Sequence, residues 1–360
     1  MRQRIFFGVL VCLVTVSFVL PALAAMKVEG SGSRISVSHR PEGTGPIAVG
    51  PMLEEIAKVV AGIENKEEIT FVLSGLDDGA LAKICETYPD MVSLMLNDTG
   101  PRVAGFVGIT TFAPLGKLTK LTSIDLRTFE TNPPLSTAPL AAATALDSVF
   151  IQDVRNIDLA PLGGIASITD MGLDKPGTDD IAFVAGLSNL SSFSVLRFVP
   201  KDMTPLGKTP VDSLTLTAVT GLGNLGFLES IPQLRTLYIT GTDGLSNWAA
   251  LGKLVALSDV KLSGVNAKSG DPIDLGFVAA MPELDSLNLN ESKVTNFDAL
   301  KAAVELMRLR IVKTEGVTTL APLKALPKLR SLAISKDAFP PAELTGFALQ
   351  EELTRGLVEQ

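Results

Sequence analysis

Histidine and cysteine, the usual side chains of nucleophilic and zinc chemistry, are few in this 360-residue chain: one histidine, His39, and two cysteines, Cys12 and Cys85. A Ser-His-Asp or Cys-His nucleophile needs a histidine held within hydrogen-bond reach, and His39 stands in a stretch rich in Gly, Ser and Pro. Zinc sites built from histidine and cysteine are excluded by count. Cys85, in "GALAKICETYPD", shares a helical face with Leu81, Ile84 and Tyr88 and reads as a small buried hydrophobe. The acidic pairs Asp77-Asp78 and Asp179-Asp180 lack calcium-loop spacing and read as solvated turns. The 31 glycines mark turns, and none forms a phosphate-cradling loop before a helix. Carboxylate-based hydrolysis would need two acids to meet across the fold, and no pair is singled out. The expectation is a protein that is not an enzyme, with no cofactor and no metal.

The elements that would position any site begin after the leader. "MRQRIFFGVLVCLVTVSFVLPALAAM" puts two arginines before an apolar run, then Pro21 and the small-x-small triplet Ala22-Leu23-Ala24. This predicts a signal peptide over residues 1–24 and export to a periplasm or the medium. The rival reading is an uncleaved anchor, since Ile5 to Ala25 is just long enough to span a bilayer. Cleavage removes Arg2 and Arg4, taking the net charge of −8 to about −10. Lysines and arginines are scattered singly, so nucleic acid is not expected as a partner, nor is membrane insertion after cleavage. One cysteine remains, so no intrachain disulfide can form and the core must hold the fold.

That core is written as a repeat. "VTTLAPLKALPKLRSLAIS" at 317–335 and "NIDLAPLGGIASITDMGLD" at 156–174 share the positions of their apolar residues. The first members of the apolar-x-apolar pairs are Phe71, Leu94, Ile124, Val149, Met171, Phe193, Leu214, Leu237, Val260, Leu287, Leu309 and Leu332. Their spacings run from 21 to 30 residues. A pair spaced by two is what a strand with one buried face requires. One unit cannot bury its apolar face alone, whereas stacked units share a continuous core.

The chain resembles leucine-rich repeat proteins, and most closely their short-unit, internalin-like bacterial type. "LRSLAIS", "LDSLNLNES", "LRTLYITGT" and "VDSLTLTAV" carry the strand half of that pattern, and "VTTLAPLKAL", "IDLAPLGGI" and "FAPLGKL" carry the return half. The resemblance implies an α/β solenoid: a right-handed horseshoe or arc of about 12 coils, with a parallel concave sheet and short helical or 3-10 convex segments. The turn position usually held by asparagine is Val154, Val219, Thr242, Val265, Ser292 or Thr314, so hydroxyls are expected to replace part of the asparagine ladder. Neither a cell-wall sorting signal nor an adhesive module follows, so host-cell adhesion is not implied.

The expected organisation is a leader to 24, a mobile segment over 25–50, and a helical cap over 51–68. The solenoid follows over 69–336, then a closing helical cap over 337–360. On each strand the middle residue should face solvent. Phe150 and Tyr238 stand out there as aromatics; Asp125, Asp170 and Asp174 give acidity early, and Lys261, Arg308 and Arg310 give basicity later. Asp125, Phe150, Tyr238, Lys261, Arg308 and Arg310 are the candidate partner-binding residues. A second candidate surface is the edge where three long units carry their insertions: Leu96 to Pro114, Leu126 to Pro139 and Leu262 to Phe277. Trp248 falls in an inward register. The function expected is binding of a protein partner by a monomer. An envelope-associated assembly role is the alternative and a carboxylate-based hydrolase the third.

Overall fold

Within each unit, the first apolar residue of every predicted pair stands directly opposite its counterpart on the next strand. The computed structural model describes residues 26–39, 47–63, 69–98, 108–198, 200–348 and 357–359. The expected signal peptide lies outside the described residues. The chain divides into two units, Met1–Ser167 and Ile168–Gln360.

In the first unit, strands Arg34–His39, Thr70–Ser74, Ser93–Asn97, Ser123–Arg127 and Ser148–Gln152 run parallel, each beside the next. Phe71, Leu94, Ile124 and Val149 stand opposite one another in that ladder and are all buried. In the second unit, Asp170–Asp174, Ser192–Leu196, Ser213–Thr217, Thr236–Thr240, Asp259–Ser263, Ser286–Asn288, Arg308–Ile311 and Ser331–Ile334 form the same arrangement. Met171, Phe193, Leu214, Leu237, Val260, Leu287, Leu309 and Leu332 make its buried line. Alternation puts the second apolar residue of each pair inward too, which is why a one-residue slip would expose a whole strand's core face.

The return segments are short 3-10 helices. Ala113–Lys117, Ala138–Ala142, Ala160–Gly164, Thr204–Lys208 and Ala321–Leu323 carry proline in the first turn, where a missing N–H is harmless. Trp248 heads the segment Trp248–Lys253 and is buried. The coil that begins with strand Thr70–Ser74 instead uses a true helix, Asp78–Thr87, capped by Asp77, whose carboxylate accepts the Ala80 N–H at 2.8 Å. Cys85 is fully buried on this helix, and burial pushes its thiol up to about 12, so it stays protonated and inert at neutral pH.

Both ends depart from expectation. Residues 26–39 are not a mobile leader: Met26–Ser31 and Arg34–His39 form an antiparallel hairpin. Its turn is set by Gly32 at φ +57°, a region side chains rarely adopt. The second hairpin strand extends the parallel ladder by one, placing Ile35 opposite Phe71. The lone histidine therefore ends a strand. The expected N-terminal helix is present as Val49–Ala61 and buries Met52 and Ile56. It packs so close to the hairpin that a Cβ at Gly30 would meet Val59 Cγ1 at 2.5 Å. At the C-terminus no closing helix forms among the described residues. A 3-10 turn, Pro341–Leu344, is followed by strand Leu357–Glu359, which pairs parallel with Ser331–Ile334. Each sheet end thus satisfies its last buried strand with another strand. Among the described residues no helix is long and apolar enough to cross a membrane.

Candidate functional site

The candidate residues fall on two separate units and are treated as two patches. In the first unit, Asp125 and Phe150 are direct cross-strand partners. Arg127 joins them. Its guanidinium makes a forked pair with the Asp125 carboxylate at 2.6–3.0 Å and lies 5.8 Å from the centre of the Phe150 ring. Asp125 is therefore neutralised in place. Sequence reading missed Arg127, although it sits two residues beyond Asp125 on the same strand face.

The second unit holds the larger patch. Tyr238, Lys261, Asn288 and Arg310 occupy the same register on four successive strands, forming one row across the solvent face. A parallel row of Thr236, Asp259, Ser286 and Arg308 runs beside it. Tyr238 is half-buried, and its hydroxyl donates to Asp259 Oδ2 at 2.8 Å. Burial first, then the hydrogen bond and charge of Asp259, push the phenol up to about 12; Arg308 opposes and Asp285 reinforces the shift. Arg308 in turn donates to Asp285 Oδ1 at 2.8 Å. Tyr238, Asp259, Asp285 and Arg308 thus act on one another across four strands. Asp259 and Asp285 were not singled out from the sequence; their partners become visible only through the strand register.

Two of the three acids expected to give early acidity on the sheet, Asp125 and Asp174, are ion-paired. Asp174 is 2% exposed and takes both arms of Arg197, with Nε to Oδ1 at 2.9 Å. The carboxylate is buried while the Arg197 side chain is 48% exposed, so the pair sits at the surface boundary. Asp170 is exposed.

The insertion edge is more ordered than a set of loops. Glu130–Ser136 pairs parallel with Arg155–Asp158, and Ile273–Asp274 with Val294–Thr295, forming short second ladders. Asp78, expected in a solvated turn, accepts the backbone N–H groups of Thr110 and Thr111 and the Thr110 hydroxyl. Asp180 caps its return segment by accepting the Ala182 N–H. Residues 99–107 of the first insertion lie outside the described residues.

Hydroxyls do replace the turn asparagines in part. Thr242 Oγ1 accepts the Val219 N–H from the preceding coil at 3.3 Å. Ser292 Oγ accepts the Val265 N–H at 3.2 Å and donates to the Leu262 carbonyl at 2.9 Å. One buried asparagine, Asn266, does the same work with both amide atoms on Leu245.

An internalin (inlF) from Listeria monocytogenes str. 4b F2365 superposes with a TM-score of 0.53 at 20% identity, covering 84% of this chain and 86% of that one. The chain is an internalin-like leucine-rich repeat solenoid in fold. The solenoid also matches a chain of the mouse RP105/MD-1 complex, with a TM-score of 0.55 at 14% identity over 79% of this chain and 54% of that one. A chain of the TLR13–ssRNA13 complex follows at 0.51 and 14%, over 76% of this chain and 41% of that one. The solenoid thus spans about half the length of these two larger proteins. No family model and no curated protein matches it.

Proposed function

We propose that the chain is an exported, non-enzymatic binding module whose protein partner docks on the solvent face of the Ile168–Gln360 unit, around Tyr238. The observation that carries this reading is the row Tyr238, Lys261, Asn288 and Arg310, fixed by four strands and flanked by ion-paired and hydrogen-bonded neighbours. Aromatic and arginine side chains held rigid on a scaffold lose little entropy on binding, which suits them as anchors. Two of the similar solenoids were solved in complexes, one with MD-1 and one with ssRNA13. The Asp125–Arg127–Phe150 cluster is a second anchor of the same kind on the other unit. Export rests on the arginine-led apolar leader and its Ala22-Leu23-Ala24 site.

The test is a pull-down from envelope and medium fractions, followed by purification of the captured partner and measurement of its affinity. Tyr238→Ala and Arg310→Ala should each weaken it by about 1–2 kcal/mol. Binding that survives both substitutions, but is lost when "NDTGPRVAGFVGITT" is trimmed, moves the site to the insertion edge. Self-association with no partner favours assembly.

A further inference from the structure

We propose, resting on the reading above, that the segment bound around Tyr238 is an acidic stretch of a protein, with two carboxylates about 10 Å apart and an apolar residue on the Tyr238 side. The chain as a whole is acidic, with 39 Asp and Glu against 31 Lys and Arg. The face from Thr236–Thr240 to Ser331–Ile334 reverses that balance. Counting each strand and the residue just before it, the cations are Arg235, Lys261, Arg308, Arg310 and Arg330, and the acids are Asp259 and Asp285. Both acids are engaged, Asp259 by the Tyr238 hydroxyl and Asp285 by Arg308. Local positive charge on an acidic scaffold calls for an anionic partner group, and the remaining acidity of the chain disfavours broad polyanions.

Register sets the spacing. Lys261 and Arg310 are two strands apart in one row, with Asn288 between them. At roughly 4.8 Å per strand, the two cations are about 10 Å apart along the row. An extended polyproline II-like segment repeats its face every three residues, at about 9 Å. Acid-x-x-acid therefore meets both cations, and the residue lying one strand further meets the Tyr238 ring. A nucleic acid or sulfated glycan fits less well, because its evenly spaced anions would be driven against Asp259 and Asp285.

Short linear peptides displayed on phage, selected on the full chain at low salt, test this. The expected result is recovery of acidic peptides with the acid-x-x-acid spacing. Their affinity should fall about tenfold in Lys261→Glu/Arg310→Glu, the scale of an interface anchor, and should fall with salt. Thermal unfolding of the variant should match the parent, which separates binding from folding. Peptides that depend on Tyr238 yet are neutral or basic overturn the acidic partner and leave the binding face standing. Peptides indifferent to Tyr238→Ala and to charge reversal overturn both. Recovery of no peptide, or tighter binding of oligothymidylate or heparin than of an acidic peptide of equal charge, also overturns it.

Discussion

The Tyr238 hydroxyl donates a 2.8 Å hydrogen bond to Asp259 on the neighbouring strand, tying the one aromatic of the second unit's solvent row to the row beside it. Burial and that bond favour the neutral phenol, so Tyr238 should ionise near pH 12 in a tyrosinate absorbance titration. The folded value lies above the ordinary one of 10.0, so this stabilisation is complete below pH 10 and is lost as pH rises towards 12. Asp259→Asn should bring the transition down. An unchanged transition would remove Asp259 from the account.

The hydroxyl ladder gives a second prediction. Ser292→Ala leaves the buried Val265 N–H without its acceptor and should cost about 1–3 kcal/mol in urea unfolding. Thr242→Val should do the same at Val219, by less, because the contact is longer. Ser292→Asn, which restores an acceptor, should recover part of the loss.

Arg197→Ala should be worse than any surface change of similar size. It strands the Asp174 carboxylate, which is 2% exposed, while the Arg197 side chain is 48% exposed, so the loss should be about 1–3 kcal/mol, the cost of a buried group left unsatisfied. Adding Asp174→Asn should recover much of that loss. A neutral Arg197→Ala would mean that the pair forms no part of the fold's stability.

The register itself is tested by Leu237→Asp and Leu287→Asp, both of which put charge where the side chain is at most 1% exposed. Each should cost about 3 kcal/mol or more, while Thr236→Asp and Asn288→Asp should stay within about 0.5 kcal/mol. Equal damage from the two sets would mean a shifted register.

The ladder was legible because burial on one face forces a spacing of two inside each strand, and stacking forces the period. Both constraints act on the buried apolar positions, whichever apolar residue fills them. The N-terminal hairpin was hidden because Gly30, Ser31, Gly32 and Ser33 read as a flexible composition, although Ile35 and Val37 alternate as a buried strand should. At the other end, apolar residues among acids in "ELTGFALQEELTRGLVEQ" suit a helix by local spacing, yet Leu357–Glu359 pairs with Ser331–Ile334. The site was half legible. Middle-row residues follow from alternation, whereas Asp259 and Asp285, and Arg127 in its contact with Phe150, matter through neighbours brought close only by folding.

Tyrosine nitration of the chain with and without its purified partner tests the binding face most directly. The chain has two tyrosines, and the other, Tyr88, packs against Phe71 at 5.2 Å in the first unit. The account predicts that the partner protects Tyr238 and leaves the labelling of Tyr88 unchanged. Equal labelling of Tyr238 in the free and bound protein would contradict it.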